Sequence, residues 1–153
     1  MGSTRGATTA IPGSVAKVAS YTFEIAGPPA TKGSARSFRS ARSNRIVTVP
    51  DCRALKGWHR RAQLSALAGM RAAGATMIHK PRAVALDVVV YVRRPKLPAG
   101  PTPACRPDLD KYLRAVLDAL MAVCYQDDGQ VVTVTSTKAY GTPGVWVRVS
   151  EAG

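Results

Sequence analysis

Four aspartates near one another in the sequence are spaced so that they could form a metal site. The segment PDLDKYLRAVLDALMAVCYQDD, residues 107–128, has Asp108 and Asp110 at its start and Asp127 and Asp128 at its end. Mg²⁺ prefers oxygen ligands and is usually held by a few carboxylates, water and substrate phosphate. Such an ion can promote attack of water on a phosphodiester. These residue types are therefore compatible with metal-assisted cleavage of a phosphodiester.

The same aspartates also have a structural explanation. Asp108 follows Pro107, and both residue types are favoured where a helix begins, because Asp accepts hydrogen bonds from free backbone amides there. Asp127 and Asp128 precede Gly129 and could simply be turn residues. The spacing alone leaves both a metal site and a set of caps and turns open.

A helix between the two aspartate pairs would set their separation. Its polar face would carry Asp110, Arg114 and Asp118 at i, i+4 and i+8. We expect it to end near Tyr125 and the chain to continue as a strand after Gly129. The apolar residues at helical spacing predict a buried face of Leu113, Val116, Leu117, Leu120 and Cys124.

The chain as a whole is strongly basic. Its 153 residues include 22 Lys and Arg against nine Asp and Glu, which gives a net charge of +13. This charge steers association with polyanions, so nucleic acid is the leading partner, and a merely solvated basic surface is the alternative. An anionic membrane surface would require a basic helix with a large apolar face, and the sequence shows none.

Basic residues concentrate in two segments before residue 61. The segment ATKGSARSFRSARSNR, residues 30–45, is interpreted as a long loop with little to bury. Residues 53–73 predict a helix with Asp51 as N-cap and a buried face of Leu55, Trp58, Ala62 and Ala66. Its outer face is either solvated or contacts phosphates. The candidate backbone contacts are Lys32, Arg36, Arg39, Arg42, Arg53, Lys56 and Arg60.

The remaining patterns predict one domain over residues 20–153, after a mobile arm at residues 1–19. Strands are expected at residues 20–27, 46–50 and 83–92, the last covered on both faces because its β-branched residues are nearly continuous. QVVTVTSTKAY and GVWVRVS predict two further strands, joined as a hairpin by residues 141–144. The order predicts an α/β (α+β) fold with two main helices on a mixed sheet.

The cysteines and the apolar segments narrow the class of protein. Cys52, Cys105 and Cys124 are odd in number and lack metal-ligand spacing, so we expect reduced, mostly buried thiols. No apolar run is long enough to span a bilayer, and the first twenty residues lack a signal-peptide core. These features predict a soluble cytoplasmic protein.

Several of these segments together resemble one nuclease family. PDLDKYLRAVLDAL, followed by YQDDGQV and Lys138, resembles the signature of the RusA-like Holliday-junction resolvases, endodeoxyribonucleases common in phages and prophages. GPPATKGSAR, residues 27–36, and RRPK, residues 93–96, are similar to two further segments of phage-type members. The resemblance covers about residues 20–150 and implies a bacterial or phage-infected host.

The resemblance implies a homodimer that binds a four-way DNA junction and nicks two opposed strands symmetrically, with Mg²⁺ or Mn²⁺ as cofactor. The essential aspartates of the family correspond to Asp108, Asp110 and Asp128, with Asp127 as the nearby substitute.

Arg114 stands where the family often has a catalytic lysine, and because Arg stays charged it is a poor proton donor or acceptor. Asp118 would support these residues without binding the metal. The resemblance adds Lys96, Lys111 and Lys138 as DNA-binding candidates, with Lys111 where the familiar pattern has Asn. A non-catalytic nucleic-acid-binding protein is the alternative.

Overall fold

A four-stranded mixed sheet is the centre of the fold, which the computed structural model describes for residues 20–33, 35–50 and 54–153. It contains β1 (Ser20–Ala26), β4 (Val84–Val92), β5 (Val131–Tyr140) and β6 (Gly144–Glu151), in the order β1-β6-β4-β5. β4 and β5 are parallel, whereas β6 is antiparallel to β1 and β4. The predicted α+β fold is confirmed.

Two helices cover one face of this sheet. α1 (Leu55–Ala73) packs on β1 and on α2 (Leu109–Leu120), which also contacts β4 and β5. Alternate residues of β4 are buried beneath them: Val84, Leu86, Val88 and Val90. The intervening residues of β4 are only partly buried, so the prediction that this strand is covered on both faces was wrong. The β-branched residues of β4 pack against the helices on one face of the sheet, and those on the other face are partly exposed.

The predicted apolar face of α1 is largely confirmed. Trp58, Ala62 and Ala66 are buried, and Leu55 is partly buried against the same core. Gly69 lies against β1 with no room for a side chain, since a Cβ atom there would lie 2.9 Å from both the Phe23 Cβ and the Thr22 carbonyl oxygen. The expected cap Asp51, together with Cys52, Arg53 and the arm at residues 1–19, lies outside the described residues.

The segment interpreted as a long basic loop contains a strand. β2 (Ala35–Arg39) pairs with β3 (Ile46–Pro50) in an antiparallel ribbon that is separate from the main sheet. The sequence did not predict β2 because its polar and basic residues show no apolar alternation; its pairing with β3 supplies the backbone hydrogen bonds instead.

The predicted hairpin between the last two strands was wrong. β5 and β6 are not neighbours, because β4 lies between them. Residues 141–143 pass the end of β4, where the Gly141 amide donates to the Val92 carbonyl at 3.0 Å. The Gly and Pro residues therefore predicted a reversal of chain direction correctly but not which strands pair.

α2 ends earlier than predicted. Its last residue is Leu120, and Ala122 then adopts a left-handed φ of 64°. This turn brings Cys124 and Tyr125 into the core, where the Tyr125 hydroxyl donates to the Leu117 carbonyl at 2.8 Å. Burial raises the pKa of the Cys124 thiol to about 11. Cys105, in contrast, is exposed, and Cys52 lies outside the described residues, so the expected burial is confirmed for Cys124 alone.

None of the helices in the described part of the chain is long and apolar enough to cross a membrane.

Candidate active site

The first turn of α2 presents two exposed carboxylates. Asp108 is the N-cap residue, yet its side chain accepts no capping hydrogen bond. Its Oδ2 lies 3.6 Å from Lys111 Nζ, and the Oδ2 of Asp110 lies 3.9 Å from Arg114 Nη2. The Asp108 and Asp110 side chains are 53% and 62% exposed, and such solvent-exposed ion pairs hold a carboxylate only weakly. Capping therefore does not explain Asp108, and both carboxylates are free to accept another ligand.

The polar face of α2 is arranged as predicted. Tyr112, Ala115, Val116, Ala119 and Leu120 are buried. Asp110 and Arg114 lie on the exposed side, and Asp118 is partly buried beside them. Leu113 and Leu117, expected in the core, are only partly buried against it. The helix thus carries Asp110, Arg114 and Asp118 in one row.

The Asp127 side chain is hydrogen-bonded within the turn that precedes β5. Residues Asp128–Gln130 form a single turn of 3₁₀ helix, and the Asp127 Oδ1 accepts from the Gly129 amide at 2.8 Å. The Lys80 ammonium donates to Asp127 Oδ2 at 2.9 Å. The hydrogen bond from Lys80, followed by that from the Gly129 amide, lowers the pKa of Asp127. The structural explanation of a turn residue therefore accounts for Asp127.

Gln130 fixes the other side of this turn, and the sequence prediction did not include it. Its side chain is buried and accepts from the backbone amides of Gln126 and Asp127 at 2.9 and 3.0 Å. Its amide group donates to the carbonyls of Ile78 and Arg82 at 3.1 and 3.0 Å. An Asp followed three residues later by Gln is a capping-box pattern, which was the available signal.

Asp128 faces a different cavity from its neighbour. It lines a surface cavity with Arg114 and Asp118 of α2, whereas Asp127 lines another cavity with Lys80 and Gly129. Arg114 also pairs loosely with Asp110. The guanidinium of Arg114 thus connects the first turn of α2 to the cavity that contains Asp128.

The loop after β1 closes one side of this cavity. The Lys32 amide donates to the Lys111 carbonyl at 3.0 Å, and the Lys32 ammonium pairs with Asp118. Gly33 has a φ of +102°, and a Cβ atom there would lie 3.1 Å from Arg114 Nη1. A side chain at residue 33 would therefore be strained and would crowd Arg114. Lys32, predicted as a DNA contact, is also a structural partner of α2.

The carboxylates suit a hard divalent ion in type but are not gathered into one cluster. Asp108, Asp110 and Asp128 offer oxygen ligands, as Mg²⁺ requires. Among the residues that the structure describes, however, no three His, Cys, Asp or Glu side chains are close enough to hold one metal ion. The structure brings Asp128 to the row on α2 through Arg114 and directs Asp127 elsewhere.

The predicted DNA contacts occupy several surfaces. Arg39 and Arg42 are exposed on the β2–β3 ribbon, Lys56 and Arg60 are exposed on α1, and Lys96 is exposed after β4. Lys111 and Lys138 are partly buried. The Arg36 side chain and Arg53 lie outside the part of the chain that the structure describes.

The chain is similar to known proteins over most of this architecture. A profile of the family described as Endodeoxyribonuclease RusA matches residues 27–150. The "Uncharacterized protein YqaN" of Bacillus subtilis (strain 168) is 35% identical over 81 residues, which is 44% of this chain and 57% of that protein. The chain therefore spans little more than half the length of this relative. The family match includes all of α2 as well as Asp127 and Asp128.

Proposed function

Because the chain belongs to the endodeoxyribonuclease RusA family, we propose that it is a metal-dependent nuclease that resolves four-way DNA junctions by paired, symmetric nicks. The observation that carries the proposal is the pair of exposed carboxylates, Asp108 and Asp110, at the start of α2. Asp110 pairs with Arg114, which lines a cavity together with Asp128. Neither carboxylate on α2 has a structural role that would explain it.

In this proposal Asp108, Asp110 and Asp128 would approach one another to share Mg²⁺ or Mn²⁺ when the ion and the DNA bind, since the structure does not bring them close enough to hold one ion. When bound, the ion supplies Lewis-acid chemistry, since it makes a water molecule more acidic and stabilises negative charge on phosphate oxygens. Asp127, the fourth candidate ligand, is already held by Lys80 and the Gly129 amide. We therefore assign the principal role within the doublet to Asp128.

Arg114 has two roles in the proposal. It would add positive charge near Asp110, whose carboxylate lies 3.9 Å away, and it would place a permanent positive charge in the cavity that Asp128 also lines. Arg remains protonated in proteins, so it would attract and stabilise the phosphate without transferring a proton. Asp118 is neutralised by Lys32 and supports this arrangement from the side.

The basic surfaces would bind the DNA backbone around the cut site. Exposed Lys and Arg contacts to phosphates position a protein on DNA without reading its sequence, so recognition would depend on the shape of the junction. A four-way junction has two symmetry-related scissile phosphates, and a C₂ homodimer with one site in each subunit matches that symmetry.

A non-catalytic DNA-binding protein is the alternative, and one observation favours it. The described residues contain no ready-made group of three metal-ligating side chains. In that case the exposed aspartates of α2 would contribute only to solubility and local charge, and the protein would bind junctions without cutting them.

The decisive experiment compares the unmodified chain with Asp110→Asn and a matched control, Asp87→Asn. Asp87 pairs with Arg148 on strand residues that face away from the helices, so its loss should not affect the site. Each purified protein is incubated with an end-labelled four-way junction, with and without Mg²⁺, and binding is measured in parallel without the metal.

The expected result is paired nicks that require Mg²⁺, persist in Asp87→Asn and disappear in Asp110→Asn while junction binding is retained. Equal binding by all three proteins, with no cleavage in the presence or absence of Mg²⁺, would establish the alternative. Equal cutting of junctions, flaps and linear duplexes would retain the nuclease and reject the junction specificity.

A further inference from the structure

The Lys138 side chain lies on the face of the sheet that the two helices cover. It lies in β5 and is in register with Val90 of the parallel strand β4. Val90 is completely buried under the helices, and side chains of residues paired in register lie on the same face. Lys138 therefore extends from the helix-covered side of β5, an unusual position for a residue that only binds solvent or DNA.

The ammonium group of Lys138 binds the backbone that leads into α2. It donates to the carbonyls of Cys105 and Pro107, the latter at 2.9 Å. Both carbonyls belong to the short segment that ends at Asp108, the N-cap residue of α2. This contact links the second half of β5 to the beginning of α2, and hydrogen bonds from charged donors are among the stronger ones in proteins.

The two elements that this link joins each lie next to candidate metal ligands. β5 starts at Val131, directly after the turn that contains Asp128, while α2 starts at Leu109, between the other two carboxylates. The Asp108 side chain accepts no capping hydrogen bond, so its position depends on how the backbone before it is held.

We infer that Lys138 is a positioning residue, which holds Asp108 and Asp110 in place relative to Asp128 through the carbonyls of residues 105 and 107. This inference rests on the proposed nuclease function and replaces the expectation that Lys138 contacts DNA. Two of the three N–H groups of the ammonium are used within the protein, which leaves it poorly placed to act as a phosphate contact.

The test compares Lys138→Met, which keeps an unbranched apolar stem but cannot donate, with Lys138→Arg, which keeps the charge. The measurements are the single-turnover cleavage rate at saturating protein, the junction affinity over a salt series, and hydrogen exchange of the backbone amides of residues 108–111. We expect Lys138→Met to cut about 100-fold more slowly, because small misplacements of reacting groups cost this much. Its junction affinity and salt dependence should not change, its amides should exchange faster, and Lys138→Arg should recover part of the rate.

Weakened binding with a salt slope reduced by about one, and a normal rate at saturation, would overturn the inference, because that is the behaviour of a phosphate contact. An unchanged cleavage rate together with unchanged exchange would overturn it as well. If Lys138→Met does not fold, Lys138→Arg decides: a slower rate at unchanged affinity supports positioning, and an unchanged rate contradicts it. If the unmodified protein cuts no junction, the proposed function fails, whereas hydrogen exchange still reports whether Lys138 holds the start of α2.

Discussion

Asp127 and Asp128 are adjacent but have different surroundings. The Asp127 carboxylate receives hydrogen bonds from Lys80 and the Gly129 amide, so it completes a turn. Asp128 is the first residue of that 3₁₀ turn and lines the cavity shared with Arg114. Because the turn directs successive side chains to different sides, Asp128 lines the cavity beside α2 and Asp127 lines another.

This difference predicts opposite effects of the same chemical change at the two positions. Asp128→Asn should lower the rate of Mg²⁺-dependent junction cleavage by at least about 100-fold, because changes that merely disturb the support of a metal ligand already cost 10–100-fold. Asp127→Asn should retain most of the activity. Parallel cleavage assays of the two variants are the measurement, and greater loss in Asp127→Asn would reverse the assignment.

Asp127→Asn should instead reduce stability in a pH-dependent way. The pKa of Asp127 in the folded protein is lowered below its ordinary value of 3.8, chiefly by the hydrogen bond from Lys80. A carboxyl group with a lowered pKa in the folded state stabilises the protein above its unfolded pKa, and the contribution is lost as the pH falls through the folded value. The stability difference between the unmodified protein and Asp127→Asn, measured by urea unfolding, should therefore be present near neutral pH and shrink as the pH falls below 3.8.

The site residues were predictable where they follow a local pattern. Asp110, Arg114 and Asp118 share one helical face, and the spacing alone indicates that. The contact of Lys32 with Asp118 and that of Lys80 with Asp127 join residues 86 and 47 positions apart. No local periodicity carries such information, because these pairs form only when the loop after β1 and the chain after α1 reach their final positions.

At the scale of the elements, the packing of α1 against β1 determines how closely the helical layer approaches the sheet. Gly69 lies directly over Phe23, with no room for a side chain, whereas Gly57 on the same helix has no atom within 4 Å of the position a Cβ would take. Packing therefore requires a glycine at residue 69 but not at residue 57, although both glycines lower the intrinsic helix propensity.

Alanine at these two positions should change the free energy of unfolding in opposite directions. Gly57→Ala should raise it by about 0.5–1 kcal/mol, the usual gain in helix propensity. Gly69→Ala should lower it by about 1–2 kcal/mol, because overpacking costs more than the propensity gain returns. Chemical denaturation of both variants is the measurement. An equal gain in both would show that α1 can move away from β1 at little cost.

The order of the elements was predicted better than their pairing. Strands β1, β3, β4, β5 and β6 and both helices follow from apolar periodicity, whereas β2 has none and was missed. The insertion of β4 between β5 and β6 depends on the crossover through α2, which makes β4 and β5 parallel neighbours. A turn signal at residues 141–144 reports direction only, so it could not exclude this arrangement.

At the scale of the whole molecule, exposed positive charge extends beyond the region of the carboxylates. The net charge of +13 coexists with five aspartates in residues 107–128. Lys56 and Arg60 are exposed on α1, and Arg39 and Arg42 are exposed on the β2–β3 ribbon. Under the proposed function, these basic surfaces would bind the DNA backbone away from the carboxylates of α2.

Neutralising the outer face of α1 should therefore weaken DNA binding without changing the chemistry of the site. For the double variant Lys56→Gln/Arg60→Gln, we expect lower affinity for junction and duplex alike, and a dependence of log affinity on log salt that is less steep by about two, one for each lost phosphate contact. The cleavage rate at saturating protein should not change.

Arg148→Gln is the matched control, because Arg148 pairs with Asp87 on the opposite side of the sheet and its loss should leave the salt dependence unaltered. Binding titrations across a salt series measure the slopes, and equal slopes for the double variant and the unmodified protein would mean that α1 does not contact the DNA backbone.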